Sequence, residues 1–372
     1  MSTPATTAAQ QAAPVAKEMS FLDRWLAIWI LAAMAVGLLL GRFIPGLDRA
    51  LDAVKIGGIS VPIAIGLLVM MYPVLAKVRY DEMHRVTGDR KLLTLSLFLN
   101  WVVGPAFMFT LAWVFLPDLP EFRTGLIIVG LARCIAMVFI WNDLARGDRE
   151  AAAVLVAINS IFQVVAFGAL GWFYLQVLPS WLRLETTSAQ FSVSAIVASV
   201  LVFLGIPLLA GFLTRVLGEK AKGRHWYEEK FLPKIGPWAL YGLLFTIVLL
   251  FAMQGEAITS QPWNVARMAV PLLLYFVLMF VISLFASKAV GLNYAKSTSV
   301  AFTASGNNFE LAIAVAIGTF GITSGQALAG VVGPLIEVPV LVGLVYVALW
   351  AGPKLFRNDP TVPKRSTSGV RS

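Results

Sequence analysis

Ten stretches of the chain are nearly unbroken apolar runs, at 22–42, 60–77, 91–116, 124–145, 149–178, 194–215, 234–254, 265–290, 298–320 and 325–351. Each reaches or nearly reaches the ~20 residues that a helix needs to cross the hydrocarbon of a bilayer. The alternation of apolar and polar positions that marks barrel strands is missing, and the runs are too long for such strands. The pattern predicts an all-α integral membrane protein with ten transmembrane helices. Its helical domain covers 21–352. The flanks 1–20 and 353–372 have no apolar core and read as disordered tails. Lys17 and Arg24 border the first run, which reads as a retained helix and not as a cleaved signal peptide.

Composition agrees. Of 372 residues, 59% are hydrophobic and 13% charged, with a mean hydropathy of +0.81; soluble domains sit near 45–50% and 25%. The net charge of +9 would suggest nucleic acid if it formed a stripe with interleaved aromatics. It does not. With the N-terminus in the cytoplasm, 22 of the 29 Lys and Arg residues fall on the cytoplasmic side, six fall outside, and Arg133 lies within a run. This asymmetry puts both termini in the cytoplasm and the chain in the cell membrane as a multi-pass protein.

The two halves of the chain align as an inverted repeat of five helices each. Runs 4 (RCIAMVFI) and 9 (FELAIAVAI) correspond, as do runs 5 (VAINSIFQVV) and 10 (VVGPLIEVPV). Cys134 then pairs with Glu310, and Gln163 with Glu337. Ser305, Gly306, Asn307 and Asn308 interrupt run 9, where Gly and Asn favour non-helical backbone. Run 4 carries a polar interruption at the matching place. Broken helices at equivalent positions of two halves point to a binding site at the midplane.

Ionisable groups at membrane depth cost at least ~2.5–3.5 kcal/mol each, and function is their default reading. They are Arg133, Glu310 and Glu337; Asp143 lies nearer the interface. Glu310 stands three residues after Asn307, on one helix face. Glu337 sits between Pro334 and Pro339, which free the carbonyls of Gly330 and Leu335. Arg133 either pairs with a carboxylate to hold the bundle or lines a path with it. The amides Asn100, Asn159 and Gln163 suit interhelical hydrogen bonds or a pocket. Cys134, the chain's one cysteine, excludes an internal disulfide. A buried cysteine is usually an inert small hydrophobe, but beside a guanidinium a thiol gains thiolate character and suits soft, thiophilic centres. No phosphate-binding loop occurs, which argues against ATP hydrolysis by this chain. His84 and His225 fall in loops, so neither a histidine metal site nor a Ser-His-Asp set can form within the membrane. No enzyme chemistry, cofactor or resident metal is expected.

GLARCIAMVFIWNDLARGDRE, SGNNFELAIAVAIGTFG and VVGPLIEVPVLV resemble the signature helices of the arsenical-resistance arsenite efflux transporters, within the bile acid:sodium symporter superfamily. SVPIAIGLLVMMYPVLAKVRY and LGIPLLAGFLTR extend the resemblance, which covers about residues 20–352. It implies unwound helices 4 and 9 crossing at the midplane. It implies a core of helices 3–5 and 8–10 moving against a panel of helices 1, 2, 6 and 7. It also implies extrusion of trivalent arsenic, with antimonite as a further substrate, by antiport with protons. The family's cysteine, arginine, asparagine and two glutamates fall on Cys134, Arg133, Asn308, Glu310 and Glu337. The first four would contact the substrate, and Glu310 or Glu337 would carry the proton. The rival reading is a sodium-coupled organic-anion symporter of the same superfamily. A membrane receptor would lack a soluble domain to signal through.

Overall fold

A computed structural model of the chain describes residues 25–363 apart from 45, 54, 57, 58, 79–87, 136, 187–192, 261, 322 and 323. The tail 1–20, residues 364–372 and His84 lie outside the described residues. Among those described, the chain is helical except for one two-stranded turn, β1 (Lys55–Ile56) with β2 (Ile59–Ser60).

Every apolar run carries a helix. The first half holds α1 (Leu26–Phe43), the short α2 (Leu47–Asp52), α3 (Val61–Ala76) and α4 (Arg90–Phe115). It continues with α5 (Pro120–Leu131), α6 (Val138–Leu144) and α7 (Arg149–Trp181). The second half holds α8 (Ser194–Lys222), α9 (224–260), α10 (Pro262–Ala289), α11 (Tyr294–Ser305), α12 (Phe309–Phe320) and α13 (Gly325–Leu355). Six of these (α4, α7, α8, α9, α10 and α13) are long and apolar enough to cross a membrane. The chain is an all-α integral membrane protein. Helices α8 and α9 outrun their apolar windows, because residues such as Glu219, Lys220 and Glu228 suit a helix that has left the hydrocarbon.

Local chemistry sets the ends. Asp89, Asp148, Asn293, Asn308 and Ser324 each accept a backbone N–H in the first turn of the helix they precede, which satisfies donors left over at helix starts. Gly223 and Gly321 end α8 and α12 at φ 83° and 91°, where a side chain would be strained.

Among the described residues, four helices swell by one residue, at Leu99–Val103, Phe173–Val177, Leu201–Gly205 and Tyr227–Phe231. Each π-bulge is followed two residues on by a proline: Pro105, Pro179, Pro207 and Pro233. The carbonyl each ring would strike, four residues back, lies at the middle of its bulge. Widening the helix relieves the clash and the missing donor together.

The helices form two groups. In one, α1, α9, α3 and α8 touch backbone to backbone at glycines. A methyl on Gly41 would stand 2.2 Å from the Ala252 carbonyl oxygen. One on Gly242 would stand 2.7 Å from Met70 N, and one on Gly211 2.8 Å from Ala76 N. Small residues permit this approach where lipid offers no hydrophobic drive. The other group joins α4, α5, α7, α10, α11 and α13 around the broken pairs α5–α6 and α11–α12. Residues past 353 depart from the expectation of disorder as far as 363. Asp359 Oδ2 accepts from Tyr294 N, Thr361 Oγ1 accepts from Ala295 N, and Phe356 packs edge-on against Tyr294. Acceptors at the exposed N-terminus of α11 hold this segment down.

Candidate substrate site at the crossing of two broken helices

Helix α5 stops at Leu131 and α6 begins at Val138; α11 stops at Ser305 and α12 begins at Phe309. The gaps meet as a single antiparallel bridge, Arg133 against Asn307. Cys134 N donates to the Gly306 carbonyl at 3.3 Å, and Asn308 N donates to the Ala132 carbonyl at 3.0 Å. Asn307 Nδ2 donates to the carbonyls of Val129 and Ala132, at 2.8 and 3.1 Å. These would otherwise be bare carbonyls at the end of α5, deep in an apolar bundle.

Each break is braced from the next helix. Gln163 on α7 accepts from Arg133 N at 2.9 Å and donates to the Arg133 carbonyl at 3.1 Å. Glu337 on α13 accepts from Asn307 N at 3.1 Å. Both pairs lie 30 residues apart along the chain. Arg133 and Asn307 differ by the same interval as Gln163 and Glu337, 174 residues (307 less 133, 337 less 163). The bridge therefore matches Cys134 with Asn308. The expected match of Cys134 with Glu310 is two residues out of register, because the apolar flanks of the breaks can be slid against each other at little cost in similarity.

Arg133 is fully buried and has no carboxylate partner among the described residues. Its Nη1 donates to the Tyr275 hydroxyl on α10 at 2.6 Å, and its Nη2 donates to the Gly130 carbonyl. Its guanidinium carbon stands 5.8 Å over the Tyr275 ring. Of the two readings offered for Arg133, the carboxylate pair is absent among the described residues; the cation is held on a phenol, a carbonyl and a ring face. Gly104 makes the room: a methyl there would fall 2.6 Å from Nη1 and 3.0 Å from the phenol oxygen. Tyr275 escaped the sequence reading, although a hydroxyl in the middle of an apolar helix is itself a sign that a partner is needed.

Cys134 is buried against Gly306. A methyl on Gly306 would sit 3.3 Å from Cys134 Sγ and 3.3 Å from Glu337 Oε1, so thiol and carboxyl flank the same glycine. Asn100 donates to the Ser96 carbonyl and hydroxyl one turn back, and Asn159 accepts from Trp101 Nε1 at 3.1 Å. Among the described residues, neither makes a hydrogen bond to the crossing. Several buried atoms at and beside the crossing have no hydrogen-bond partner among the described residues: Arg133 Nε, Asn307 Oδ1, Asn308 Nδ2, Asn100 Oδ1 and Asn159 Nδ2. Such orphans are costly unless something else bonds them.

A cavity of about 490 Å³ runs between the two groups of helices. Met70, Val74, Leu240 and Leu243 form one wall; Met137, Ile140 and Glu310 form the other; Lys77, Asp143 and Arg149 lie at its polar end. Arg149 Nε donates to Asp143 at 2.6 Å there. Of the residues expected to meet substrate, Glu310 lines this cavity, in the first turn of α12 where the helix N-terminus favours a carboxylate. Arg133, Cys134, Asn308 and Glu337 are not among the cavity's lining residues.

An apolar helical chain with paired broken helices bridged at their gaps, beside a cavity between two helix groups, has the architecture of a membrane carrier. Residues 64–261 match the Sodium Bile acid symporter family. The chain is 70% identical to the "Arsenical-resistance protein Acr3" of Corynebacterium glutamicum over 354 residues, 95% of this chain and 96% of that protein. It is 32% identical to the protein of the same name from Alkaliphilus metalliredigens, over 89% of this chain and 93% of the other. It is 34% identical to "Uncharacterized transporter slr0944" of Synechocystis sp., over 92% of each. The chain belongs to the arsenical-resistance transporter family of the bile acid:sodium symporter superfamily.

Proposed function

We propose that this protein is a secondary carrier that expels trivalent arsenic from the cell in exchange for protons, without ATP, with antimonite as a second substrate. The observation that carries the reading is the pair of bridged breaks, repeated at a constant interval, with Glu310 three residues past the bridge and open to the cavity. The repeat supports two inverted halves of five helices. The glycine-welded group α1, α3, α8 and α9 serves as the panel, and the rest as the moving core. The names of two relatives support the substrate.

Neutral arsenous acid presents three hydroxyls on a thiophilic centre. In the proposed cycle it enters from the end with Lys77, Asp143 and Arg149, the cytoplasmic end by the positive-inside rule. Glu310 accepts from one hydroxyl. Asn308 Nδ2, which has no hydrogen-bond partner among the described residues, donates to another. Cys134 lies one layer deeper and meets the arsenic as the crossing loosens. If a bond forms, the S–H proton and one As–OH leave together as water, and S–As replaces As–O. A proton taken up by Glu310 from outside removes its charge, weakens its hold on that hydroxyl and releases the cargo. Since the cargo is neutral, each proton exchanged moves one charge. A 100 mV potential then contributes ~2.3 kcal/mol, which holds roughly a 50-fold gradient.

Purified protein in liposomes tests this. Arsenite flux should follow an imposed pH gradient and ignore sodium. Sodium-dependent uptake of an organic anion without arsenite flux would instead assign the chain to the symporter reading. Cys134→Ala should lower arsenite flux; equal flux would remove the thiol from the mechanism.

A further inference from the structure

A separate groove opens on the lipid-facing side of the core, where α4 begins and α10 ends. It measures about 440 Å³ and is lined by Arg90, Lys91, Thr94, Leu95, Phe98 and Val290. Deeper in the bilayer the same two helices close on each other, and Phe107 stacks on Tyr275 at 6.1 Å between ring centres. Lys91, Leu95 and Phe98 recur at helical spacing and share one face of α4. Phe98 is 53% exposed, which at membrane depth means exposed to acyl chains. With 26 residues, α4 is about 39 Å long against ~30 Å of hydrocarbon. Centred in the bilayer, it carries Arg90 and Lys91 at headgroup level and Phe98 about 12 Å further in. The neighbouring acid is already committed. Asp89 accepts from Leu92 N at 3.1 Å and from Lys296 Nζ at 2.7 Å. Arg90 and Lys91 make no ion pair among the described residues, nor does Lys288 in the last turn of α10. The mouth of the groove is therefore cationic and its floor apolar.

We infer that this groove binds one anionic glycerophospholipid, its phosphate on Arg90 and Lys91 and an acyl chain over Leu95 and Phe98. The Lys/Arg-rich end of the bundle is the cytoplasmic one by the positive-inside rule, and basic pockets between helices on that side suit anionic headgroups. The long cationic stems lie along the apolar wall while their charges reach the phosphate. A zwitterionic lipid fits less well, because its own ammonium competes with the two cations. The bound lipid joins α4 to α10 at their open end. These are the helices that bring Gly104 and Tyr275 to Arg133, so the lipid steadies the frame around the crossing. The site stands whatever the cargo and its coupling.

Native mass spectrometry of the purified full-length protein, titrated with dioleoyl-phosphatidylglycerol or dioleoyl-phosphatidylcholine, tests the site. One phosphatidylglycerol should be held about tenfold or more tightly than phosphatidylcholine. Each cation beside an anionic headgroup contributes about fivefold, so Arg90→Gln with Lys91→Gln should weaken that affinity about 25-fold. Thr94→Trp fills the groove, keeps both cations, and should weaken it by about tenfold or more. Lys230→Gln with Lys234→Gln removes the same charge from α9, away from the groove, and should change it by less than about twofold. All five positions are exposed, so the fold tolerates the changes. Equal retention of the two lipids overturns the inference, as does wild-type affinity in the Arg90/Lys91 variant. An equal loss in the α9 control, or an unchanged affinity in Thr94→Trp, would show a diffuse basic surface and overturn it too. Displacement of phosphatidylglycerol by inorganic phosphate would mark a site for soluble anions instead.

Discussion

Arg133 offers a sharp test of how a charge survives inside this bundle. Its Nη1 donates to the Tyr275 hydroxyl at 2.6 Å, and the side chain is completely buried. Tyr275→Phe deletes one oxygen, keeps the ring under the guanidinium, and leaves a charged N–H facing hydrocarbon. Hydrogen bonds to charged groups contribute about 1.5–3 kcal/mol net, and leaving the partner buried pushes the loss toward the upper end. In an Arg133→Met background the same deletion should cost little. The phenol also approaches the Ala304 carbonyl, at 3.5 Å, which is the limit of a hydrogen bond. The lost Gly130 contact is common to both backgrounds and cancels. A double-mutant cycle over these four proteins, measured by equilibrium unfolding in mixed micelles, should give a coupling of about 1.5–3 kcal/mol. A coupling below ~0.5 kcal/mol, the usual scatter between independent sites, would refute the view that the phenol holds the cation.

Three further outcomes can be checked. Gly306→Ala suits the local backbone (φ −77°, ψ 153°) but brings a methyl to 3.0 Å from Cys134 Cβ; it should cost about 1–3 kcal/mol of stability and most of the arsenite flux, and unaltered flux would show that the thiol and Glu337 can move apart freely. Asn307→Asp replaces the donor to Val129 and Ala132 with a carboxylate facing their carbonyls, so the protein should fail to accumulate in the membrane while Asn307→Ser is milder; equal yields on a blot would contradict this. Arg267 donates to both oxygens of Asp118 in the α4–α5 loop and holds that carboxyl down to about 2, from 3.8. The contribution of this pair is present above pH 3.8 and fades as pH falls toward 2, so the melting difference between wild type and Asp118→Asn should shrink over that range; a difference independent of pH would sink the pairing.

Much of this was legible because apolar length is a strong signal. The runs predicted the helices, and Gly306, Asn307 and Asn308 marked the second break by their poor helix propensity. The first break was visible only as polar residues, since ALA-ARG-CYS-ILE-ALA-MET contains no Gly or Pro; what unwinds it is its partner, through Asn307 and Gln163, 174 and 30 residues from Arg133. The phenol that holds Arg133 was not legible, because a buried cation suggests a carboxylate and charge pairing outweighs a phenol in any sequence argument. Register between the halves slipped by two because apolar helices tolerate sliding, whereas the bridge between Arg133 and Asn307 does not. The bulges at Leu99, Phe173, Leu201 and Tyr227 could have been read from the prolines that follow them, since the clash with the carbonyl four residues back is local chemistry.

Joining Arg133 to Asn307 also has a cost in time. A ribosome adding about 5–20 residues per second needs roughly 10–35 s to travel from one to the other. Glu337 and Asp359 emerge later still. Until Tyr275 and then Asn307 emerge, the early gap holds first a guanidinium without its phenol and then carbonyls without their amide. The nascent first half must wait in the insertion machinery or at the lipid edge with those groups unsatisfied, so assembly of this centre finishes only as synthesis ends.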